Sequence, residues 1–132
     1  MPRFAFLFLL LSQCSLGPSA TEKAEAGRIS RAVDLLRDAP NEQKAQLLDT
    51  LKAVSCEAAD LCELQRLCVD GYGQHVFALG ETARAKSLLK SGGSDSEASQ
   101  ALDSAGRELA AAAPKISRCA DAQGAAHRKY KF

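Results

Sequence analysis

The sequence predicts an all-α fold: an antiparallel four-helix bundle-like arrangement with a long, disulfide-linked C-terminal helical hairpin. Three observations lead there. Apolar residues recur at helical spacing through four segments. A Ser91-Gly92-Gly93-Ser94 loop separates the two longest of them. Cys68 and Cys119 stand at equal distances from a fold point between Gly93 and Ser94, as facing positions of a helical hairpin do.

The first segment, Thr21 to Asp38, carries Ile29, Ala32, Val33 and Leu36 on one stripe. Gly27 weakens its early turns. It stops at Asp38-Ala39-Pro40-Asn41, because the residue before a proline avoids the helical region. Pro40 then opens a second helix as its first residue, running to about Val54 with Leu47, Leu48, Leu51 and Val54 inward. So short a turn makes the two helices antiparallel neighbours. The third helix needs a start signal, since neither Gly nor Pro occurs between Asn41 and Asp70. Asp60-Leu61-Cys62-Glu63 reads as a capping box, with Asp60 the N-cap and Glu63 reaching back. The competing reading is one uninterrupted helix through Cys56. The third helix continues to about Lys90 along Leu61, Leu64, Cys68, Tyr72, His75/Val76, Leu79 and Ala83. Ser94-Asp95-Ser96-Glu97 is a second capping box. The last helix carries a heptad seam of Ala98, Leu102, Ala105, Leu109, Ala112, Ile116, Cys119, Gln123 and Ala126. Pro114 should kink it, and residues 127–132 form a basic, frayed tail.

The chain of 132 residues makes one domain. Residues 1–20 have the layout of a secretory signal peptide: one early positive charge, the apolar run Phe4 to Leu11, then a polar exit rich in small residues. Cleavage after Ala20 is the first expectation, after Gly17 the competitor. The alternative is an outer-membrane lipoprotein: Leu11-Ser12-Gln13-Cys14 resembles a lipobox, with Cys14 lipidated and anchoring the chain, although Gln13 departs from the small residue usual before the cysteine. The domain is then 21–132, exported to periplasm or medium. Loss of residues 1–20 removes Arg3 and no acid, leaving basic and acidic residues equal. No global field draws nucleic acid to such a chain.

Four cysteines remain: Cys56, Cys62, Cys68 and Cys119. In an oxidising compartment they read as two disulfides. Cys62 and Cys68 on one helix are separated by about 9 Å of rise, beyond the roughly 7 Å that a disulfide spans between α carbons. Of the two pairings that remain, the register of a hairpin folded about a point between Gly93 and Ser94 sets Cys68 opposite Cys119, and Cys56–Cys62 then closes across a turn.

No cofactor and no enzyme signature emerges. The cysteine spacing is wrong for zinc. Cys68 and His75 are two helical turns apart, too far for a thiol–imidazole pair. Gly71-Tyr72-Gly73 follows no strand and starts no helix, so it is not a phosphate loop. Two functions are expected in turn: an envelope or secreted interaction module for an unknown protein partner, or a small-ligand or metal carrier with an inter-helix pocket near Tyr72, His75 and Lys115.

The stretch from Asp60 to Leu79 resembles small exported helical proteins of Gram-negative bacteria, which combine a signal peptide or lipobox with a few cysteines and a C-x-x-x-Y-x-x-H helix, here Cys68-Tyr72-His75. The resemblance implies compartment and helicity, and no activity. Pectinesterase-inhibitor bundles also carry four cysteines, but the clustered N-terminal pair of that family is absent here.

Overall fold

The structure, a computed structural model, describes residues 17–132. The apolar segment of the expected signal peptide and Cys14 lie outside them. Four helices follow in order: α1 (Ala20–Asp38), α2 (Asn41–Ala53), α3 (Ala59–Lys90) and α4 (Asp95–Tyr130). Helices α3 and α4 form the long antiparallel hairpin. The shorter α1–α2 pair packs against its base. Both disulfides are present, Cys56–Cys62 and Cys68–Cys119.

The hairpin turn owes its shape to glycine. Gly92 takes φ 70°, and the Gly93 amide donates to the Leu88 carbonyl at 2.8 Å; this is a Schellman close to α3. Ser94 then caps α4 by accepting from the Glu97 amide at 3.4 Å. Gly71 sets how closely the two helices approach. A Cβ placed there would lie 2.9 Å from the Ile116 nitrogen, so only glycine fits against α4 at that level. One turn away the Cys68 and Cys119 α carbons are 4.7 Å apart. Helix α4 runs unbroken through Pro114. The proline is exposed, and water can serve the carbonyl that loses its amide partner.

The core lies at the base, where Ile29, Val33 and Leu36 of α1 meet Leu48 and Leu51 of α2, Leu61, Leu64, Cys68 and Tyr72 of α3, and Cys119, Ala126 and Tyr130 of α4. Higher up the hairpin stands on alanines: Ala78, Ala85, Ala98, Ala101, Ala105 and Ala112 are all buried.

Several sequence expectations are corrected. Helix α1 begins at Ala20 behind a full capping box made by Ser19 and Glu22. Pro40 is the N-cap of α2, not its first helical residue. Asp60 does not cap α3. The N-cap is Ala58, without a side-chain bond, and Glu63 turns to Arg66 at 2.6 Å. Instead Glu25 of α1 accepts from the amides of Glu57 and Ala58 at 2.6 and 3.2 Å, placing a carboxylate at the positive end of α3. The α3 line drifts: Leu79 is half-buried and Ala83 exposed, while Gly71, Ala78 and Ala85 are buried. On α4, Leu102 and Leu109 leave the seam and Ala101 joins it. Both shifts have one cause. Towards the hairpin tip each long helix packs on the other, and a pair of helices buries a narrow strip on each; beside Leu79 and Ala83 the start of α2, Asn41 and Glu42, leaves an open cleft. The tail also differs, because Tyr130 is fully buried and ends α4 in contact with α3.

Candidate functional site: the groove between α2, α3 and α4

The three residues expected around a pocket take up separate tasks. Tyr72 lies buried at the base; burial raises its phenol above the ordinary value, with the Arg37, Asp38 and Asp34 charges of α1 acting around it. His75 is half-buried, and burial, then the Lys44 charge of α2, lowers its imidazole below the usual value. Lys115 instead pairs with Asp70 at 3.0 Å and lines an open groove that neither Tyr72 nor His75 reaches.

That groove is the feature with most unspent chemistry. Lys52 comes from α2; Val69, Asp70, Gly73, Gln74 and Phe77 from α3; Glu108 and Lys115 from α4. Helical spacing puts the α3 set on one face, since 70, 73, 74 and 77 are three or four apart. Gln74 donates from Nε2 to Glu108 Oε2 at 2.7 Å. An ionised carboxylate only accepts, so this bond fixes the amide orientation. The other end, Oε1, is then a buried acceptor with no donor, a condition that native side chains seldom leave unanswered. Beside it Phe77 is 55% exposed. Two lysines and two carboxylates flank the pair. The arrangement suits a donor group next to an apolar side chain. It holds no nucleophile and no imidazole.

A second polar cluster joins α1 to α4. Gln123 Nε2 donates to Ser30 Oγ at 2.7 Å and to Asp34 Oδ1 at 2.8 Å, and its Oε1 accepts from Arg37 at 3.3 Å. Ser30 Oγ is 3.2 Å from His127 Nε2. A serine beside an imidazole raises the question of a nucleophile and its base. Ser30 is buried in mid-helix, where backbone amides are committed to the helix ladder and none converge as an oxyanion hole. The cluster is a polar clamp between helices. The sequence reading missed it because its members are far apart in the chain; a serine inside the apolar stripe of α1 was the available signal.

At the end of the bundle, Asp60 accepts from Lys129 at 2.7 Å and from the Tyr130 hydroxyl at 2.8 Å. Burial pushes its carboxyl up, but these two bonds and the Lys129 charge outweigh it and hold the group below the usual carboxylate range. The Asp60 bond in turn raises Lys129. Among the described residues no group of three His, Cys, Asp or Glu side chains is placed to hold a metal ion, and no helix is long and apolar enough to cross a membrane. No family model, no curated protein and no solved structure matches the chain.

Proposed function

We propose that this chain is an exported, non-enzymatic helical module that binds a protein partner in the groove between α2, α3 and α4. The observation that carries the reading is exposed Phe77 beside Gln74, whose buried Oε1 has no donor. A large aromatic next to an unfilled hydrogen-bonding position is the composition of an interface anchor. A protein segment presenting an amide or cationic donor beside an apolar side chain fills both. Export is supported by the two disulfides, which persist in oxidising compartments. The amino-terminal segment acts as the export signal, and in the lipoprotein form Cys14 carries the anchor. The carrier reading has less support, because Tyr72 and His75 do not share a cavity with Lys115.

A photo-reactive phenylalanine analogue at position 77, introduced in the exporting cell, tests the site. It should give one discrete protein adduct, absent when the same analogue replaces exposed Ala111 and lost again with Gln74→Leu. Equal labelling from both positions, or none from position 77, sinks the reading.

A further inference from the structure

The outer flank of α1 and α4 gathers cations that no other part of the fold engages. Ser30 meets His127 and Gln123 across these two helices, so the middle of α1 lies level with the last turns of α4. From that line outward, helical spacing puts Arg28 and Arg31 on the outer side of α1, and Arg128 and Lys131 on the outer side of α4. All four are exposed. A Cβ on Gly27 would lie 3.4 Å from Arg31 Nη1, and one on Gly124 would lie 3.4 Å from Arg128 Nη1. Each guanidinium thus lies back over a glycine of its own helix. Lys23, also exposed, stands one turn before Gly27. Among the described residues, none of Lys23, Arg28, Arg31, Arg128 and Lys131 forms an ion pair.

The acids nearby are engaged elsewhere. Glu22 closes the Ser19 cap, Glu25 holds the entry to α3, and Asp34 and Asp38 pair with Arg37. Glu22, Glu25 and Glu57 border one hollow on the α3 side of α1, so carboxylates and cations divide between two sides of that helix. Asp121 stands at the upper rim of the basic flank, two turns before Arg128. Phe132 supplies an apolar edge. Its ring packs on His127 with centroids 4.2 Å apart, lies beside Gly27, and is 40% exposed. The chain also enters at this end of the bundle. Cys14 stands five residues before Ser19, within about 18 Å of chain.

We infer that this flank lies on a bilayer surface and holds anionic lipid headgroups. The guanidinium and ammonium groups take the headgroup phosphates, each raising the partition about fivefold, and Phe132 enters the interface beside them. The amino-terminal chain points to the occupant. An anchor on Cys14 keeps this end of the bundle at the bilayer, where a layer of phosphates faces the flank. The α2–α3–α4 groove opens on the other side of α4, because Lys115 and Arg128 are about 140° apart around that helix. A docked protein therefore turns the groove towards the compartment. The inference rests on the flank alone and does not need the groove to be a binding site.

Co-sedimentation of the exported, oxidised protein with vesicles is the test. Vesicles of phosphatidylcholine with one-third phosphatidylglycerol are compared with phosphatidylcholine alone, and the ratio of the two partition coefficients cancels any acyl anchor. That ratio should be about a hundredfold at low salt and fall at least tenfold between about 50 and about 300 mM salt. Arg31→Gln with Arg128→Gln should lower it about 20-fold with an unchanged circular dichroism spectrum. Lys86→Gln with Lys90→Gln, the same charge change at the hairpin tip, should lower it by less than about twofold. Phe132→Trp gives the chain its only tryptophan, and its emission should move to the blue on the anionic vesicles. Equal partition into both vesicles, equal losses from the two charge pairs, or an unshifted tryptophan overturns the inference. Displacement by millimolar glycerol phosphate at constant ionic strength overturns it too, because the flank would then be a site for a free phosphate.

Discussion

At the residue scale, Gly71 and Asp60 make the sharpest statements. Gly71 faces backbone of α4, which cannot move aside as a flexible side chain would. Gly71→Ala should cost about 1–3 kcal/mol by overpacking, despite alanine's better helix propensity; a denaturant melt that shows stabilisation would mean that the helices separate more easily than the geometry implies. Asp60 works by charge. Its folded pKa is lowered by Lys129 and Tyr130 against the push of burial. Its contribution is therefore complete above the unfolded carboxylate range and lost as pH falls through the folded value. Lys129 is raised, so its share holds below the unfolded lysine value and fades above it. Amide protection over residues 125–130, taken relative to the intrinsic exchange rate at each pH, should fall on acidification below about pH 4, and Asp60→Asn should remove that dependence. Ser19 bears on processing. A cut after Gly17 keeps the Ser19–Glu22 box, and a cut after Ala20 destroys it. N-cap loss costs about 1 kcal/mol, so N-terminal sequencing of exported protein should find Ser19 retained.

At the element scale, helix ends are held by side chains from other helices. Lys44 of α2, itself buried, donates to the Leu36 and Arg37 carbonyls at 2.9 Å and closes α1. Gln65 of α3 donates to the Leu51 and Val54 carbonyls at 2.8 and 2.6 Å and closes α2. Glu25 of α1 secures the entry to α3. Each of these caps ties one element to the next. Lys44→Met leaves two carbonyls without this donor and should cost about 1–3 kcal/mol, more than the same change at exposed Lys90. The α3–α4 seam is equally testable. Ala112 is 1% exposed, so Ala112→Leu should overpack it by about 1–3 kcal/mol and slow formation of the Cys68–Cys119 bond, read by thiol titration. A leucine accepted within about 0.5 kcal/mol would place Ala112 outside the seam.

At the scale of the whole molecule, the two disulfides differ in reach. Cys68–Cys119 joins residues 51 apart, and Cys56–Cys62 residues 6 apart. Loop-closure entropy gives the first about 4 kcal/mol and the second about 2. Cys68→Ala with Cys119→Ala should therefore lower stability by about twice as much as Cys56→Ala with Cys62→Ala. The first bond is also fully buried and the second half-buried. Graded reduction should open Cys56–Cys62 first and leave the hairpin folded, which mass spectrometry after alkylation would show; simultaneous loss of both would mean that the base and the hairpin unfold as one.

Helix number, hairpin direction and disulfide pairing were legible in the sequence, because each depends on spacing along the chain. Heptad steps mark a helix, a Ser-Gly-Gly-Ser loop turns it back, and folding about a point between Gly93 and Ser94 brings Cys68 to Cys119. The Ser19 box was equally local, but lay inside the segment assigned to the signal peptide. What tertiary structure alone decided is which neighbour each face receives. Asp60 looked like a cap and became the anchor of Tyr130, because the end of α4 lies beside it. Leu102 and Leu109 looked like seam residues and stand outside it, because α1, which covers Gln123 on the same column, ends at Asp38. Glu25, Lys44 and Gln65 act across helices, and Gln74 was left with an unmatched acceptor by a bond to Glu108. None of these follows from local pattern, since a side chain's partner depends on where distant segments end, and only the folded chain sets that.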